Sequence, residues 1–485
     1  MRIKKIIKEL KEVRVKKYNN HVVKGIETNS KQVTKNTVFV AISGTHFDGH
    51  DFIDEAIKNG AKSIIYDSEV CDKKEGINYF KVYDTKKALS YVANTFYRNI
   101  TKKVKLIGVT GTNGKTSITT ILHNYLEYIG KKSLLMGTNG IYFNKTVIEN
   151  INTTPDILLS LRHIKQAYKN GARYVVMEVS SHAIKELRVD RFDFDVAIFS
   201  NLTHDHLDYH KSIVDYRYTK GIFLQSLPNN KRKTTIANGD DDSFRIYNRM
   251  IKNNLLTYGI RQDVDYRALN IDNSVEDGVS FRLLHKDKKY KVKTFLLGEF
   301  NVYNILSAIA CINFLGFKIE TFVSFLKIFR QIDGRMEMFE INKRFYLIDF
   351  AHTPDSVQNI LKNIRKLGFK RLTVIIGCGG NRDRKKREII GKLVVSYADK
   401  VYFTSDNPRD EDEMSIIQDI IRKIPFYKKN YDIIINRERA IEAAIAASVP
   451  KEIIIVLGKG FENFQIIKGK KYEFNDKEVV KKYAR

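Results

Sequence analysis

The sequence predicts an α/β protein of three domains whose sheets are largely parallel. Three observations support this prediction. The chain has 485 residues, which at roughly 150 residues per domain corresponds to about three domains. Short apolar runs alternate with amphipathic segments along most of the chain. Several apolar runs end in glycine-rich or polar turns, as strands of parallel sheets do. We expect domains at residues 1–100, 101–335 and 336–485.

The composition indicates a folded protein of a reducing compartment. Hydrophobic residues make up 43% of the chain, which excludes a disordered protein. The sequence contains no run of about 18 apolar residues, so we predict no membrane span. The first residues do not resemble a signal peptide. The cysteines at 71, 311 and 378 lie far apart, which argues against a disulfide scaffold and fits the cytoplasm.

The charge balance favours anionic partners. The chain has 84 Lys and Arg against 56 Asp and Glu, a formal net charge of +28. The excess is spread from end to end, so we expect neither nucleic-acid binding nor membrane association. The basic segment 1–18 has apolar residues at helical spacing, which predicts an amphipathic helix packed on its own domain. A membrane-surface helix is the alternative.

The first domain mixes strands and helices. A buried strand is predicted at 38–42, a helix at 52–57 that ends at Gly60, and a second strand at 61–66. In the second domain we predict strands at 104–109, 174–179 and 196–200, and a helix at 116–129. Residues 231–295 are more polar and alternate in hydrophobicity, which predicts antiparallel strands.

The third domain alternates most regularly. Strands are predicted at 345–350, 372–376, 400–404, 433–435 and 453–457. Helices are predicted at 355–367, 385–397, 415–424 and 437–447. This pattern is typical of a Rossmann-like, doubly wound domain, which binds ligands at the carboxyl ends of its strands.

The strongest motif is the phosphate loop at 111–116, Gly-Thr-Asn-Gly-Lys-Thr. It follows a predicted buried strand and precedes a helix, whose N-terminus favours anions. Lys115 would contact the β- and γ-phosphates, and the Thr116 hydroxyl would bind Mg²⁺. Val109 stands where the general pattern has its first glycine. The motif predicts nucleoside triphosphate binding.

Acidic and imidazole side chains follow the next two predicted strands. Glu178 ends one strand, at a position where Mg²⁺ is usually held, although it could also cap the next segment. The loop 201–210 carries three histidines and two aspartates within seven residues. A structural zinc site would need better-spaced ligands, so we expect a loop beside a magnesium–phosphate site.

Three polar loops follow strands of the third domain, at 377–387, 406–409 and 458–462. Arg387 and Arg409 could each hold a carboxylate with a bidentate guanidinium fork. The alternatives are a solvated helix start at 382–387, and pairing of Arg409 with Asp410 or Glu411.

Together these motifs resemble the Mur ligases, the ATP-dependent amide-forming enzymes of peptidoglycan precursor synthesis, and among them the tripeptide synthetases. The resemblance covers essentially the whole chain. It rests on residues 111–116, 152–155, 177–182, 205–210, 298–304, 334–337, 349–354, 377–383 and 406–409.

The resemblance implies an N-terminal UDP-binding domain, a central ATPase domain and a C-terminal amino-acid-binding domain. It implies UDP-muramoyl-dipeptide contacts at Thr28, Ser30, Thr45, His46, Phe47, Asn152, Thr153, Thr154, Ser180, Glu186 and Arg188. It implies ATP contacts at Gly111, Thr112, Asn113, Gly114, Lys115, Thr116, Ser117, Asn301, Asn304, Arg335, Asp349 and His352. It implies amino-acid contacts at Arg387, Asp406, Asn407, Pro408, Arg409, Gly458 and Glu462.

The resemblance further implies two Mg²⁺ ions on Thr116, Glu178, His206 and a carbamylated Lys220, with Lys115, His206 and Lys220 catalytic. Asn29, Glu186 and Phe461 depart from the usual pattern.

The expected reaction adds meso-diaminopimelate to UDP-N-acetylmuramoyl-L-alanyl-D-glutamate through an acyl phosphate, in a cytoplasmic monomer. The same ligation with meso-lanthionine or L-lysine is the first alternative. Another amide ligase, such as a folylpolyglutamate synthetase, and a nucleic-acid-dependent ATPase are more remote.

Overall fold

The structure of the protein is a computed structural model that describes residues 1–10, 13, 18–44, 47–70, 72–144, 146–150, 152–206, 209–275 and 277–485. The chain forms two compact units. The first comprises Met1–Thr110, Ile129–Ala197 and Ser226–Lys233, and the second comprises Gly111–Tyr128, Ile198–Gln225 and Thr234–Arg485. The three-domain boundaries predicted from the sequence stay a prediction.

The N-terminal part of the first unit holds a four-stranded parallel sheet of order β1-β2-β3-β4. Its strands are β1 (Gly25–Glu27), β2 (Thr37–Val40), β3 (Ala61–Tyr66) and β4 (Asn78–Lys81). Its helices are α1 (Ile3–Ile7), α2 (Ile53–Lys58) and α3 (Thr85–Phe96), with 3₁₀ turns at Ser30–Gln32, Gly49–Phe52 and Ile100–Lys103. The predicted strands and helix are confirmed, and β3 has the predicted limits.

The N-terminal helix is shorter than predicted. The structure describes α1 over Ile3–Ile7, while residues 11–12 and 14–17 of the predicted helix lie outside the described residues. Ile3 and Ile6 are fully buried, and Ile7 and Leu10 nearly so. The apolar positions therefore pack on their own unit, as expected, and are not presented to a membrane. None of the helices in the described part of the chain is long and apolar enough to cross a bilayer.

The central region continues with many short elements. Its helices are α4 (Lys115–Tyr128), α5 (Ile157–Lys169), α6 (Ser181–Lys185), α7 (Ile213–Gln225), α8 (Phe244–Met250), α9 (Glu299–Phe314) and α10 (Ile319–Leu326). Its strands are β5 (Lys105–Thr110), β6 (Ser133–Gly137), β7 (Gly140–Phe143), β8 (Thr146–Ile148), β9 (Tyr174–Glu178), β10 (Val196–Phe199), β11 (Thr234–Asn238), β12 (Asn254–Gly259), β13 (Tyr266–Ser274), β14 (Gly278–His285) and β15 (Lys288–Thr294).

In each unit, the strands of this region pair in both parallel and antiparallel orientations. In the first unit, β5, β9 and β6 are parallel, and β7 and β8 continue antiparallel. In the second unit, β11, β12 and β13 are parallel, whereas β14 and β15 are antiparallel. The expectation of antiparallel strands over 231–295 is therefore wrong for β11 and β12. Helix α8 connects these two strands, and such a crossover allows parallel pairing.

The C-terminal part of the second unit holds a six-stranded sheet of order β16-β17-β21-β18-β19-β20, in which only β16 is antiparallel. Its strands are β16 (Glu337–Ile341), β17 (Arg344–Asp349), β18 (Arg371–Ile376), β19 (Lys400–Phe403), β20 (Tyr431–Ile433) and β21 (Glu452–Leu457). A separate hairpin follows, with β22 (Phe464–Ile467) and β23 (Lys470–Glu473). The helices are α11 (Pro354–Lys366), α12 (Lys385–Tyr397), α13 (Glu413–Ile421), α14 (Arg437–Ala446) and α15 (Asp476–Tyr483).

Helices cover both faces of this sheet, as the doubly wound prediction requires. Along β21, Ile453, Ile455 and Leu457 belong to the apolar core shared with α11, α12 and α13. The alternate residues Ile454 and Val456 belong to the core shared with α14 and α15. A strand buried on both faces is a continuous apolar run, which is why the sequence located it.

Candidate functional site

The phosphate loop joins β5 to α4 and depends on two glycines with positive φ. Gly111 has φ +149°, and a Cβ there would lie 1.9 Å from Ser200 Oγ. Gly114 has φ +88°, and a Cβ there would lie 2.5 Å from Asn304 Oδ1. Both positions therefore combine a backbone conformation that favours glycine with a close neighbour.

The loop is held in shape by residues 200–201 of the same unit. Thr112 N donates to Asn201 O at 2.8 Å, and Asn113 N donates to Asn201 Oδ1 at 3.0 Å. Ser200 Oγ donates to Asn113 O at 2.6 Å. The amides of Thr112 and Asn113 are thus engaged, which leaves the first turn of α4, where helical amides have no intrahelical acceptor, for an anion.

Two lysines meet at the mouth of this loop. Lys115 Nζ donates to Gly111 O at 2.9 Å and to Thr112 O at 2.8 Å. Lys220 Nζ, on α7, donates to Gly111 O at 2.8 Å and lies 4.5 Å from the centre of the Tyr216 ring. Lys220 is 1% exposed. Burial, followed by the charge of Lys115, holds the pKa of Lys220 well below its ordinary value, which Asp205 only partly offsets.

The residues expected around ATP in the second unit converge on the same loop. Arg335 Nη2 donates to Thr116 Oγ1 at 3.0 Å, and its guanidinium stacks on Phe350 at 4.5 Å. Asn304 lies against Gly114 and donates from Nδ2 to Asn301 Oδ1 at 2.9 Å. These contacts bring Arg335 and Asn304 to the start of α4, with Asn301 bonded to Asn304.

Asp349 and His352 follow β17. The Asp349 carboxylate accepts from Met336 N at 2.6 Å and from Ala351 N at 2.7 Å. Burial raises the pKa of Asp349 despite these bonds and the nearby Arg335. Burial, together with the charge of Lys386, lowers the pKa of His352 to about 4. His352 is therefore neutral at pH 7.

The histidine-rich loop lies in the second unit. Burial opposes ionisation of Asp205, but the charges of His206, His352 and Lys386 lower its pKa to about 2. His210 is buried and pairs with Asp215 at 3.2 Å. Leu207 and Asp208 lie outside the described residues.

The part of the chain that the structure describes holds no preformed metal cluster. Among the described residues, no three His, Cys, Asp or Glu side chains are arranged to hold a metal ion. This argues against a protein-only cage. It is compatible with Mg²⁺, which typically takes one or two protein ligands and completes its shell with phosphate oxygens and water.

In the first unit, Glu178 ends β9 beside three of the residues expected to hold the muramoyl dipeptide. Its carboxylate accepts from Thr138 N at 2.8 Å and from Thr138 Oγ1 at 3.0 Å. Thr154 Oγ1 donates to Glu178 O at 2.8 Å and accepts from Ser180 N at 3.0 Å. Arg188 Nη1 donates to Thr154 O at 3.2 Å.

The alternative for Glu178, a cap on the following segment, does not apply. Ser180 Oγ caps α6 by accepting from Ala183 N at 3.2 Å. Thr153, whose hydroxyl oxygen lies 3.2 Å from Thr138 Oγ1, belongs to the same cluster. Glu186 forms an ion pair with Lys86, and the Asn152 carbonyl accepts from Asn150.

The N-terminal residues expected to bind the uridine diphosphate differ in solvent exposure. Thr28 is exposed, and Phe47 is 75% exposed. Ser30 is buried, and its hydroxyl donates to Glu55 at 2.5 Å. Asn29 caps the turn Ser30–Gln32, because its side chain accepts from the Lys31 amide. Thr45 and His46 lie outside the described residues.

The three polar loops of the third predicted domain meet at one edge of its sheet. Gly380 N donates to Asn407 O at 2.9 Å, and a Cβ on Gly458 would lie 2.4 Å from Asp406 Oδ2. Asn407 Nδ2 donates to Glu462 at 2.8 Å. The hairpin β22–β23, which the sequence did not reveal, holds this loop because Ile466 N donates to Asn407 Oδ1 at 2.9 Å.

The surroundings of Arg409 suit a side chain that binds a substrate carboxylate. Its Nη1 donates to Gly380 O at 2.7 Å, and no carboxylate of the described residues pairs with it. Burial and then the charge of Arg382 lower the pKa of Arg409, and the charges of Asp406, Glu462 and Asp410 only partly offset this. Among the described residues, no hydrogen bond or ion pair joins Arg409 to Asp410 or Glu411, and Asp410 acts on Arg409 only through its charge. Arg382, which the sequence analysis overlooked as an individual site, supplies a second guanidinium beside it.

The expectation that Arg387 holds a substrate carboxylate is wrong in this structure. Arg387 is 1% exposed, and both terminal nitrogens donate to Glu411 at 2.9 Å. Its Nη1 also donates to Asp419 at 3.0 Å. The sequence could not show that a carboxylate 24 residues away already occupies this fork. The solvated-helix alternative is also wrong for this residue.

Lys459 is a second residue that the sequence analysis missed. It is 0% exposed, and its Nζ donates to Glu462 at 2.8 Å and to Asn407 at 3.3 Å. Glu462 is thereby partly neutralised before any ligand binds. The adjacent Phe461, a departure noted in the sequence, packs against Phe350 with ring centres 5.4 Å apart.

Comparison with known families accounts for most of the chain. Residues 22–97 match the model described as "Mur ligase family, catalytic domain", residues 109–312 the Mur ligase middle domain, and residues 334–460 the "Mur ligase, glutamate ligase domain". A relative from Clostridioides difficile is 38% identical over 488 residues, covering 99% of each chain. The chain belongs to the Mur ligase family.

Two relatives within the Mur ligases share one name. Those from Clostridioides difficile and Aquifex aeolicus are named UDP-N-acetylmuramoyl-L-alanyl-D-glutamate–2,6-diaminopimelate ligase. The Aquifex protein is 39% identical over 459 residues, covering 95% of this chain and 93% of its own. A solved structure with the same name has a TM-score of 0.71 and 27% identity, covering 99% of this chain and 98% of that one. The three-domain Mur ligase fold predicted from the sequence is therefore confirmed.

Proposed function

We propose that this Mur ligase joins a meso-diamino diacid, diaminopimelate first, to the D-glutamate of UDP-N-acetylmuramoyl-L-alanyl-D-glutamate, with hydrolysis of ATP to ADP and phosphate. Relatives covering nearly the whole chain bear the name of this activity. The reaction belongs to peptidoglycan precursor synthesis, and we place it in the cytoplasm with the enzyme as a monomer.

The ATP phosphates would lie at the first turn of α4. The amides of that turn, which have no intrahelical acceptor, and the Lys115 ammonium, now bound to the loop carbonyls, would provide the positive charge. Ser117 follows in the same turn. Asn301, Asn304, Arg335, Asp349 and His352 remain the proposed nucleotide contacts, and Arg335 is supported by its bond to Thr116.

Mg²⁺ would be held by Thr116, Glu178, His206 and a modified Lys220, where it would offset the charge of the transferring phosphoryl group. An unmodified lysine cannot serve, because an ammonium repels a cation. The Lys220 amine has a lowered pKa, which leaves a nucleophilic lone pair. Addition of that amine to CO₂ forms a C–N bond and releases a proton, giving a carbamate with carboxylate-like oxygens.

The chemical steps balance as an acyl transfer. A carboxylate oxygen of D-glutamate attacks the γ-phosphorus of ATP, and ADP leaves. The amine of the incoming amino acid then attacks the acyl carbon, phosphate leaves, and the nitrogen loses a proton. Thr28, Ser30, Thr45, His46 and Phe47 would hold the UDP moiety, and Asn152, Thr153, Thr154, Ser180, Glu186 and Arg188 the peptide.

The choice of amino acid rests on one observation, which is the guanidinium of Arg409 without a carboxylate partner among the described residues. Diaminopimelate has a second carboxylate at its far end, whereas lysine has only an ammonium there. Arg409, with Arg382 beside it, would bind the carboxylate and repel the ammonium. Asp406, Asn407, Pro408, Gly458 and Glu462 would surround the amino group and backbone of this ligand.

Meso-lanthionine carries the same two ends as diaminopimelate, so Arg409 cannot distinguish them. Ligation assays with each amino acid alone, read by the mass of the product, test this proposal. We expect products with both diacids and little with L-lysine. Absence of any ATP-dependent product would contradict the proposed activity itself.

A further inference from the structure

Glu411 is the centre of an ion-pair cluster next to the proposed amino-acid site. Its carboxylate accepts both terminal nitrogens of Arg387 at 2.9 Å and Arg384 Nη2 at 2.9 Å. It also accepts the backbone amide of Asn381 at 2.5 Å. The Arg387 hydrogen bonds, the largest cause, lower the pKa of Glu411 to about 2. Glu411 is therefore ionised at neutral pH.

The segments that this cluster joins are tightly packed and conformationally constrained. Arg409 has φ +54°, which is unusual for an arginine, and Asn381 has φ +52°, which asparagine adopts more readily. A Cβ on Gly380 would lie 1.9 Å from Pro408 O, so the two segments touch through their backbones. The conformation of Arg409 therefore needs support from its surroundings.

The arginines around this cluster differ in whether a carboxylate already pairs with them. Arg387 is neutralised by Glu411 and Asp419, and its Nη2 donates to Gly379 O at 3.2 Å, so it supports the loop. Arg382 and Arg409 have no carboxylate partner among the residues that the structure describes. Asn381, whose amide is bound by Glu411, directly precedes Arg382.

We propose that Glu411 is a positioning residue for the second carboxylate of the amino-acid substrate. The Glu411 carboxylate binds the Asn381 amide and the Arg387 guanidinium at the same time. It thereby fixes the position of the 379–382 loop relative to Arg409. The inference rests on the proposed function for the identity of the ligand. The loop-setting role rests on the contacts alone.

Glu388 offers a closely matched control for substitution of Glu411. Its carboxylate accepts from Arg422 and Lys423 at 2.7 Å, and its side chain is 16% exposed, against 15% for Glu411. None of its described bonds reaches the 379–382 or 406–409 loops. Glu388→Gln removes ion pairs of similar exposure without touching the loops, whereas Glu411→Gln also removes the bond that holds the 379–382 loop. Comparing the two variants therefore separates these effects.

Steady-state kinetics with meso-diaminopimelate provide the first readout. We expect Glu411→Gln to raise KM for the diacid about tenfold or more, because a misplaced binding group costs that much. We expect kcat within about twofold and an unchanged KM for ATP, because no reacting atom touches Glu411. Glu388→Gln should change none of the three constants.

Amide hydrogen exchange of residues 379–382 is the second readout and needs no substrate. We expect faster exchange in Glu411→Gln than in the unmutated protein and in Glu388→Gln. A KM unchanged by Glu411→Gln, or equal exchange in the two variants, would overturn the inference. If the unmutated enzyme does not ligate any diamino diacid, the proposed function fails, and the exchange comparison still decides whether Glu411 sets the loop.

Discussion

Replacing Lys115 by Met tests the phosphate loop. The structure shows the ammonium bound to two neutral carbonyl oxygens, at 2.9 Å from Gly111 O and 2.8 Å from Thr112 O. When ATP binds, we expect the ammonium to exchange these acceptors for phosphate oxygens that gain charge as the reaction proceeds. The substitution removes that charge but retains most of the side-chain volume.

The expected loss is large in activity and small in stability. A unit charge about 4 Å from another contributes roughly 4 kcal/mol at an effective dielectric constant of 20, which corresponds to about a thousandfold in rate. The free energy of unfolding should change by only about 1 kcal/mol. The two carbonyl acceptors of Lys115 are neutral, and Lys220 still donates to Gly111 O. Removing the charge of Lys115 should also raise the pKa of Lys220, which that charge now lowers.

The assay is kcat/KM for ATP in the ligation reaction, alongside urea unfolding. The exposed Lys327 provides the control, and Lys327→Met should leave both quantities unchanged. Retention of more than about a tenth of activity by Lys115→Met would refute the role assigned to this ammonium.

Three further predictions concern other buried charges. Lys220→Ala should be nearly inactive and partly restored by short carboxylic acids, and failure of every such acid to restore activity would count against carbamylation. Arg437→Ala should lower the free energy of unfolding by about 3–5 kcal/mol in urea titrations, because it leaves Asp476 buried without its partner. Glu411 has a pKa lowered from 4.5 to about 2, so its stabilising contribution is present above pH 4.5 and lost as the pH falls through 2. Glu411→Gln should therefore flatten the pH dependence of unfolding in that range, and an unchanged slope would contradict this assignment.

The sequence predicted several buried strands and helices, although the buried helix α9 and the buried strand β6 were not predicted. The limits of β3 and α12 agree with the prediction because apolar residues and turn signals mark both ends. The edge strand β16, the exposed hairpin β22–β23 and the C-terminal helix α15 were not predicted. The residues of these strands are polar or mostly half-buried, and α15 buries Val480 as its one apolar core residue, so their sequence signals are weak.

The candidate site was predictable where a motif implies its own geometry. The phosphate loop is one example, since glycine spacing and helix start are local properties. Arg387 and Arg409 show the limit. Both are arginines near strand ends in the sequence, and only the structure reveals that Glu411 occupies one guanidinium and that no described carboxylate pairs with the other.

Amino-acid competition is the most direct test of the proposed activity. The unmutated enzyme would receive ATP, Mg²⁺, UDP-N-acetylmuramoyl-L-alanyl-D-glutamate and equal amounts of meso-diaminopimelate and L-lysine, with products separated by mass. We predict that the diaminopimelate product exceeds the lysine product at least about tenfold, as a charged hydrogen bond of roughly 1.5–3 kcal/mol requires, and that Arg409→Ala removes this margin. Equal use of L-lysine by the unmutated enzyme would contradict the role of Arg409, and absence of both products would contradict the activity.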